Sequence, residues 1–169
     1  MRQPTERQTQ RIAKRKFREE RNLLARMPAA YAASRLQGQR MLQSAGGLSI
    51  VEWRVLWDLV EAGPMTIREM AEIQRIDHSQ LSRALPKMRR TGLVEMRQDN
   101  SDGRQILVTI TPYGEQAYDM ASPVMQRRRE ALRAIFSEIE MTQFIELLGR
   151  LEDFCRQPID QIIEAEPAQ

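Results

Sequence analysis

Apolar residues recur at helical spacing through most of the chain and give way to short continuous runs in two places only. Ser49-Ile50-Val51-Glu52 has capping-box spacing, and Trp53, Leu56, Leu59 and Val60 follow at three- and four-residue intervals until Gly63-Pro64. Thr66-Ile67-Arg68-Glu69 repeats the signature and opens a short helix with Ile67, Met70, Ala71 and Ile73 on its buried side. A turn at Gln74-Arg75-Ile76 leads to Asp77, which can cap a third helix while Gln80 reaches back. In that helix Leu81, Leu85 and Met88 share one face, and Ser79, Ser82, Arg83, Pro86 and Arg90 share the other. Three capping signatures in a row, the last two helices joined by a few residues, predict a helix-turn-helix.

After Gly92 the pattern changes to Leu93–Arg97 and then Gln105–Ile110, two strands flanking the turn-rich stretch 98–104. A hairpin in this place makes the unit a winged helix. Upstream, Pro28 suits the first turn of a helix running to Ser44 and ended by Ala45-Gly46-Gly47. Downstream, Thr111-Pro112 starts a long helix, with Ala117, Met120, Val124, Ala131, Leu132 and Ile135 as its apolar side and Pro123 as a kink. A last helix carries the stripe Phe144, Leu147, Leu148, Leu151, Phe154 and Cys155, closed by Pro158, with Ile159, Ile162 and Ile163 adding a turn. These outer helices hold more apolar surface than a winged helix needs for itself, which points to a dimer interface. The expected class is mainly α with a small β-hairpin wing. A winged helix-turn-helix over 49–111 is flanked by dimerisation helices at 28–48 and 112–169, behind a basic segment at 1–27.

At 169 residues the expected organisation is one domain, or one domain plus helical extensions. Its net charge is only +3, but residues 1–26 hold nine Lys/Arg against three Glu, a net of +6, which leaves −3 for the rest. That opening segment is either a loosely amphipathic helix or a mobile arm, and it either touches nucleic-acid phosphates or packs on a partner subunit. No apolar run reaches membrane-span length and no signal-peptide core is present, so a cytoplasmic protein is expected. Cys155 is the only cysteine and His78 the only histidine, which makes a disulfide, a metal site or a Ser-His-Asp arrangement hard to build. No glycine loop for nucleotides and no apolar carboxylate pair is found, so neither an enzyme nor a cofactor is expected.

The third helix bears short polar groups first and cations after, the order in which base edges are read and phosphates held. His78, Ser79, Gln80 and Arg83 are placed for base edges, with Arg83 able to grip a guanine bidentately; Lys87, Arg89 and Arg90 suit phosphate. The plainer reading of Arg83 is a surface ion pair. At the wing Arg104 can enter the minor groove with Asp102 steadying it, and Arg97 is a further candidate; the plainer reading is a local ion pair.

Five segments together resemble the MarR (multiple antibiotic resistance regulator) family of bacterial transcriptional regulators. They are Gly47-Leu48-Ser49, Leu81-Ser82-Arg83, Gly92-Leu93-Val94, Asp102-Gly103-Arg104 and the run Val108 to Gly114, in an order and spacing that match the family pattern over roughly 28–156. The resemblance implies a mostly helical homodimer whose two winged helices enter successive major grooves of a palindromic operator in double-stranded DNA. It also implies a regulator, most often a repressor, released by a small effector such as an aromatic acid or phenolic compound. For that effector Tyr31, Trp53 and Trp57 are candidate lining residues, and Arg26, Arg35 or Arg40 candidate partners of a carboxylate. The plainer reading of the tryptophans is core packing and that of the arginines an intersubunit ion pair. Pro86 departs from the helix formers usual in the third helix, which bears on Lys87 and Arg90. Oxidant-sensing relatives use a cysteine near the first dimer helix, where this chain has none, and Cys155 is expected to be a buried, inert thiol. The competing class is a winged helix serving only as an interaction module in a larger assembly.

Overall fold

The capping boxes read from Ser49 and Thr66 both form in the computed structural model, which describes residues 5–98 and 105–164. Ser49 receives the Glu52 N–H while Glu52 receives the Ser49 N–H, and α3 runs Ile50–Ala62. Thr66 and Glu69 do the same for α4, Ile67–Gln74. Asp77 caps α5, His78–Arg90, by accepting from the Ser79 N–H, while the Gln80 N–H goes to the Asp77 main-chain oxygen. The turn between α4 and α5 is made by Arg75, whose φ of 51° is left-handed, with the Ile76 N–H reaching back to the Ala71 carbonyl. α5 ends likewise at Gly92, φ 77°, with the Leu93 N–H on the Met88 carbonyl.

Strands β2 (Val94–Gln98) and β3 (Ile106–Ile110) pair antiparallel from Val94↔Ile110 to Gln98↔Ile106. A third strand absent from the sequence reading, β1 (Met65–Thr66), pairs with the other edge of β3 through Met65↔Val108 and gives the order β1-β3-β2. The stretch 99–104, with the wing candidates Asp102 and Arg104, lies outside the described residues.

Two helices precede the winged unit. α1 spans Glu6–Glu20 and buries none of its residues. α2 spans Leu23–Ser44, starting a turn earlier than Pro28 because the Asn22 side chain accepts from the Leu24 N–H and caps it there. Pro28 therefore sits inside the helix, where the Leu24 carbonyl goes without its usual donor. Gln39 of α2 bridges to the start of α3, its amide donating to the Leu48 carbonyl and accepting from the Ile50 N–H, both at 3.2 Å. α6, Pro112–Arg133, continues through Pro123.

The contacts divide the chain into two units, Met1–Met125 and Gln126–Gln169. In the first, Leu42, Trp53, Val55, Leu56, Met70, Leu81, Leu85, Met88 and Val108 form the core, joined from α6 by Ala121 and Met125. Ile73 and Met120, expected on buried faces, are exposed. Seven of the core side chains lie on α3, α4 and α5, and burying them at about 2 kcal/mol each is what holds the three helices at fixed angles. In the second unit α7 (Glu138–Cys155) is capped by a Ser137–Glu140 box, and α8 follows at Ile159–Glu164. No residue of α7 is buried: Ile139, Phe144, Ile145, Leu147, Leu148 and Phe154 all stand exposed, with Phe144 stacked on Phe136 at 6.2 Å. Cys155 is exposed too, against the expectation of a buried thiol, and no residue of the helix it shares with the apolar stripe is buried. Among the described residues no helix is long and apolar enough to cross a membrane.

Candidate nucleic-acid interface

The apolar side of α5 is sealed and its polar side is bare. Leu81, Leu85 and Met88 are fully buried, whereas His78, Ser79, Gln80, Ser82, Arg83, Pro86, Lys87, Arg89 and Arg90 are all exposed. At the N-terminal end the Ser79 hydroxyl and N–H both engage the Asp77 carboxyl and hold it below the usual aspartate range. Ser82, one turn on, donates to the His78 carbonyl at 2.9 Å and lies 3.0 Å from His78 Nδ1, which leaves Nε2 without a partner among the described residues. Ser82 was not among the base-edge candidates, yet it sets the His78 ring. Arg83 spends Nε on the Ser79 carbonyl at 3.1 Å. Its two terminal nitrogens have no hydrogen-bond partner among the described residues, and they are the pair that a bidentate guanine contact uses.

Lys87 behaves differently from its neighbours. Its ammonium lies 3.2 Å from Glu52 Oε1, in the capping box of α3. Burial works to raise the Glu52 carboxyl, but the Ser49 N–H and hydroxyl and the Lys87 ammonium outweigh it, and the group sits below the usual range. Lys87 is thus a strut between α3 and α5 as well as an exposed cation. A second strut fixes the preceding helix: the Gln74 amide donates to Asp58 at 2.6 Å while Arg54 donates to the Gln74 carbonyl at 3.0 Å. Burial there raises the Asp58 carboxyl despite the Gln74 bond. The Glu52–Lys87, Arg54–Gln74 and Asp58–Gln74 contacts escaped sequence reading because their partners lie 16 to 35 residues apart. Pro86 interrupts no more than one bond, and α5 continues past it to Arg90. Arg89 and Arg90 line a shallow depression with Pro86 and Met96 of β2, and Arg97 is exposed on the same strand.

The residues considered for an effector do not form one surface. Trp53 is 2% exposed and stacks on Tyr118 with ring centroids 5.0 Å apart and planes 3° from parallel, so it belongs to the core. Trp57 is half-buried, 6.2 Å from Trp53, with its indole N–H on Glu61. Tyr31 is 68% exposed on α2, where Arg26, Arg35 and Arg40 are exposed as well.

A helix of this polarity, held by two capped neighbours beside a hairpin, has the shape and chemistry to dock in a groove. The family model described as MarR matches residues 48–106, the span from the loop before α3 to the start of β3. An HTH-type transcriptional regulator of Bacillus subtilis, YxaD, is 34% identical over 106 residues, covering 63% of this chain and 74% of the relative. The chain belongs to the MarR family. Among solved structures, the MarR/EmrR family regulator of Acinetobacter sp. ADP1 superposes with a TM-score of 0.71 at 23% identity, over 82% of this chain and 98% of that one. The Mycobacterium tuberculosis regulator MosR, solved with DNA, gives 0.68 at 23% identity over 80% and 99%. Both share the fold described above. As a MarR-family member the chain is a DNA-binding transcriptional regulator and not an enzyme.

Proposed function

We propose that this MarR-family regulator is a homodimeric repressor that reads a palindromic operator with α5 and is released from it by a small aromatic acid or phenolic compound. The observation that carries the DNA half is the free guanidinium edge of Arg83 beside His78 and Gln80, all exposed on a helix whose other face is fully sealed. Base edges then fall to His78, Ser79, Gln80 and Arg83, with Ser79 partly committed to Asp77. Phosphates fall to Arg89, Arg90 and Arg97, and to Lys87 to the extent that Glu52 releases it. Arg104, steadied by Asp102, takes the adjoining minor groove. The dimer is supported by the uncovered stripe of α7, which supplies the self-complementary apolar surface a two-fold interface needs.

The effector half draws on similar proteins. The Bordetella bronchiseptica regulator BpsR, with a TM-score of 0.58 at 17% identity, has its DNA binding regulated by 6-hydroxynicotinic acid. The IacR protein of Pseudomonas putida, 30% identical over 113 residues, is named a repressor. Within this chain Arg26, Tyr31, Arg35 and Arg40 on α2 are the effector candidates that remain open to solvent, and Trp57 is half-buried beside Trp53. Trp53 contributes only as the wall behind it. An effector acts here only by binding more tightly to a dimer whose two α5 helices miss the groove spacing.

The test is a gel-shift titration with duplex DNA from upstream of the protein's own gene, with and without a panel of aromatic acids. Sequence-specific retardation abolished by one compound is the expected result. Specific retardation indifferent to every compound would defeat the effector half, and retardation no stronger than on unrelated duplex would defeat the operator half.

A further inference from the structure

The basic opening segment forms a helix, and the helix sorts its charges. Arg7, Arg11, Lys14 and Arg18 follow one another at four-, three- and four-residue steps, which places them in a single row along one face of α1. All four are exposed, and none of their side chains has an ion pair or hydrogen bond among the described residues. The acids lie off the row, Glu19 being taken by Arg15 one turn before it. Arg21, next along the row, turns over the Phe17 ring 4.9 Å away. Three like-charged neighbours at these spacings each weaken an isolated helix, so an anion laid along the row relieves a repulsion built into the element. The row is about 16 Å long at 1.5 Å per residue. That length of duplex carries roughly five phosphates on each strand.

We propose that α1 is a second DNA-binding element, a sequence-indifferent phosphate clamp formed by Arg7, Arg11, Lys14 and Arg18, separate from the α5 and wing contacts. The proposal rests on the chain's DNA binding and is independent of the operator and effector readings. A membrane surface fits less well: the apolar residues of α1 are only Ile12, Ala13 and Phe17, too few for the broad apolar face that an interfacial helix inserts. Because no residue of α1 is buried, removing its charges leaves the core of the regulator intact.

The full chain and the variant Arg7→Gln, Arg11→Gln, Lys14→Gln, Arg18→Gln are titrated by fluorescence anisotropy against one operator duplex and one unrelated duplex over a range of salt. The clamp makes the wild-type slope of log affinity against log salt steeper by about 0.9 for each contact. For each contact removed, a fourfold rise in salt therefore costs the variant about 3.5-fold less affinity than it costs the wild type. The change is expected to be the same on both duplexes, with their affinity ratio preserved, and the variant Arg7→Lys, Arg11→Lys, Arg18→Lys, which leaves Lys14 in place, is expected to keep the wild-type slope. A slope unmoved by the variant overturns the proposal, whether or not sedimentation shows altered assembly or the wild type binds phosphatidylserine vesicles that the variant does not. Wild-type chain with no affinity for either duplex would overturn this proposal and the DNA-binding reading together.

Discussion

At Gly114 the helix leaving the wing passes so close to the strand entering it that an added Cβ would lie 2.1 Å from the Leu93 carbonyl oxygen and 2.9 Å from Ile110 Cγ1. The first of these neighbours is backbone and cannot step aside. Gly114→Ala is therefore expected to destabilise the fold by about 3 kcal/mol, at the upper end of ordinary overpacking, measured by urea unfolding. Glu52 gives a prediction in pH. Its carboxyl is held below the ordinary glutamate value, so its contribution to stability is complete above about pH 4.3 and is lost as pH falls through the lower folded value. Unfolding midpoints of wild type and Glu52→Gln are expected to differ at neutral pH and to converge in acid; parallel curves would show that the Lys87 and Ser49 bonds do not act through the charge. Such residue-level effects divide by the range of the interaction. The Ser49 and Thr66 boxes could be read from four consecutive residues, whereas nothing near Gly114 or Glu52 in sequence announces Leu93 or Lys87. The Ser137–Glu140 box was equally local and passed unread.

Among the elements, α5 was legible in outline because its buried and exposed faces alternate at helical spacing and Leu81, Leu85 and Met88 all reach the core. β1 was not legible: Met65 and Thr66 have no periodicity of their own and become a strand only by pairing with Val108 and Leu107. The start of α2 was misplaced for a related reason, Pro28 being a strong local signal and the Asn22 cap a quieter one that prevails. The division of work between α5 and the wing makes a prediction at this scale. On the proposed assignment Arg83→Ala removes a bidentate base contact, so it is expected to cost about 1 to 3 kcal/mol at one operator base pair and to flatten preference there. Arg104→Ala is expected to weaken binding to all A·T-flanked duplexes evenly. Competition assays with single-base operator variants separate the two, and equal, uniform losses in both mutants would contradict the assignment.

For the whole molecule, α7 leaves Phe144, Leu147 and Leu148 open in a chain whose winged unit has a closed core of its own. A patch of this kind in a DNA reader is best used to hold two readers at a fixed spacing, since two half-sites about one helical turn apart multiply affinity and specificity. Leu148→Glu is expected to yield monomer by sedimentation and to lose operator binding while its wing and α5 stay folded by circular dichroism. The surplus of apolar surface was visible in the sequence, though the exposure of Cys155 within it was not, because a stripe shows that a face is apolar without showing what covers it. The most direct measurement is selection of binding sites from a randomised duplex pool by the wild type and by Arg83→Ala in parallel. The expected result is an inverted repeat with half-sites about 10 base pairs apart, from which the variant loses preference at one symmetry-related base pair. A pool that enriches no motif, or the same motif at full strength from both proteins, would contradict the reading of α5 as the element that recognises sequence.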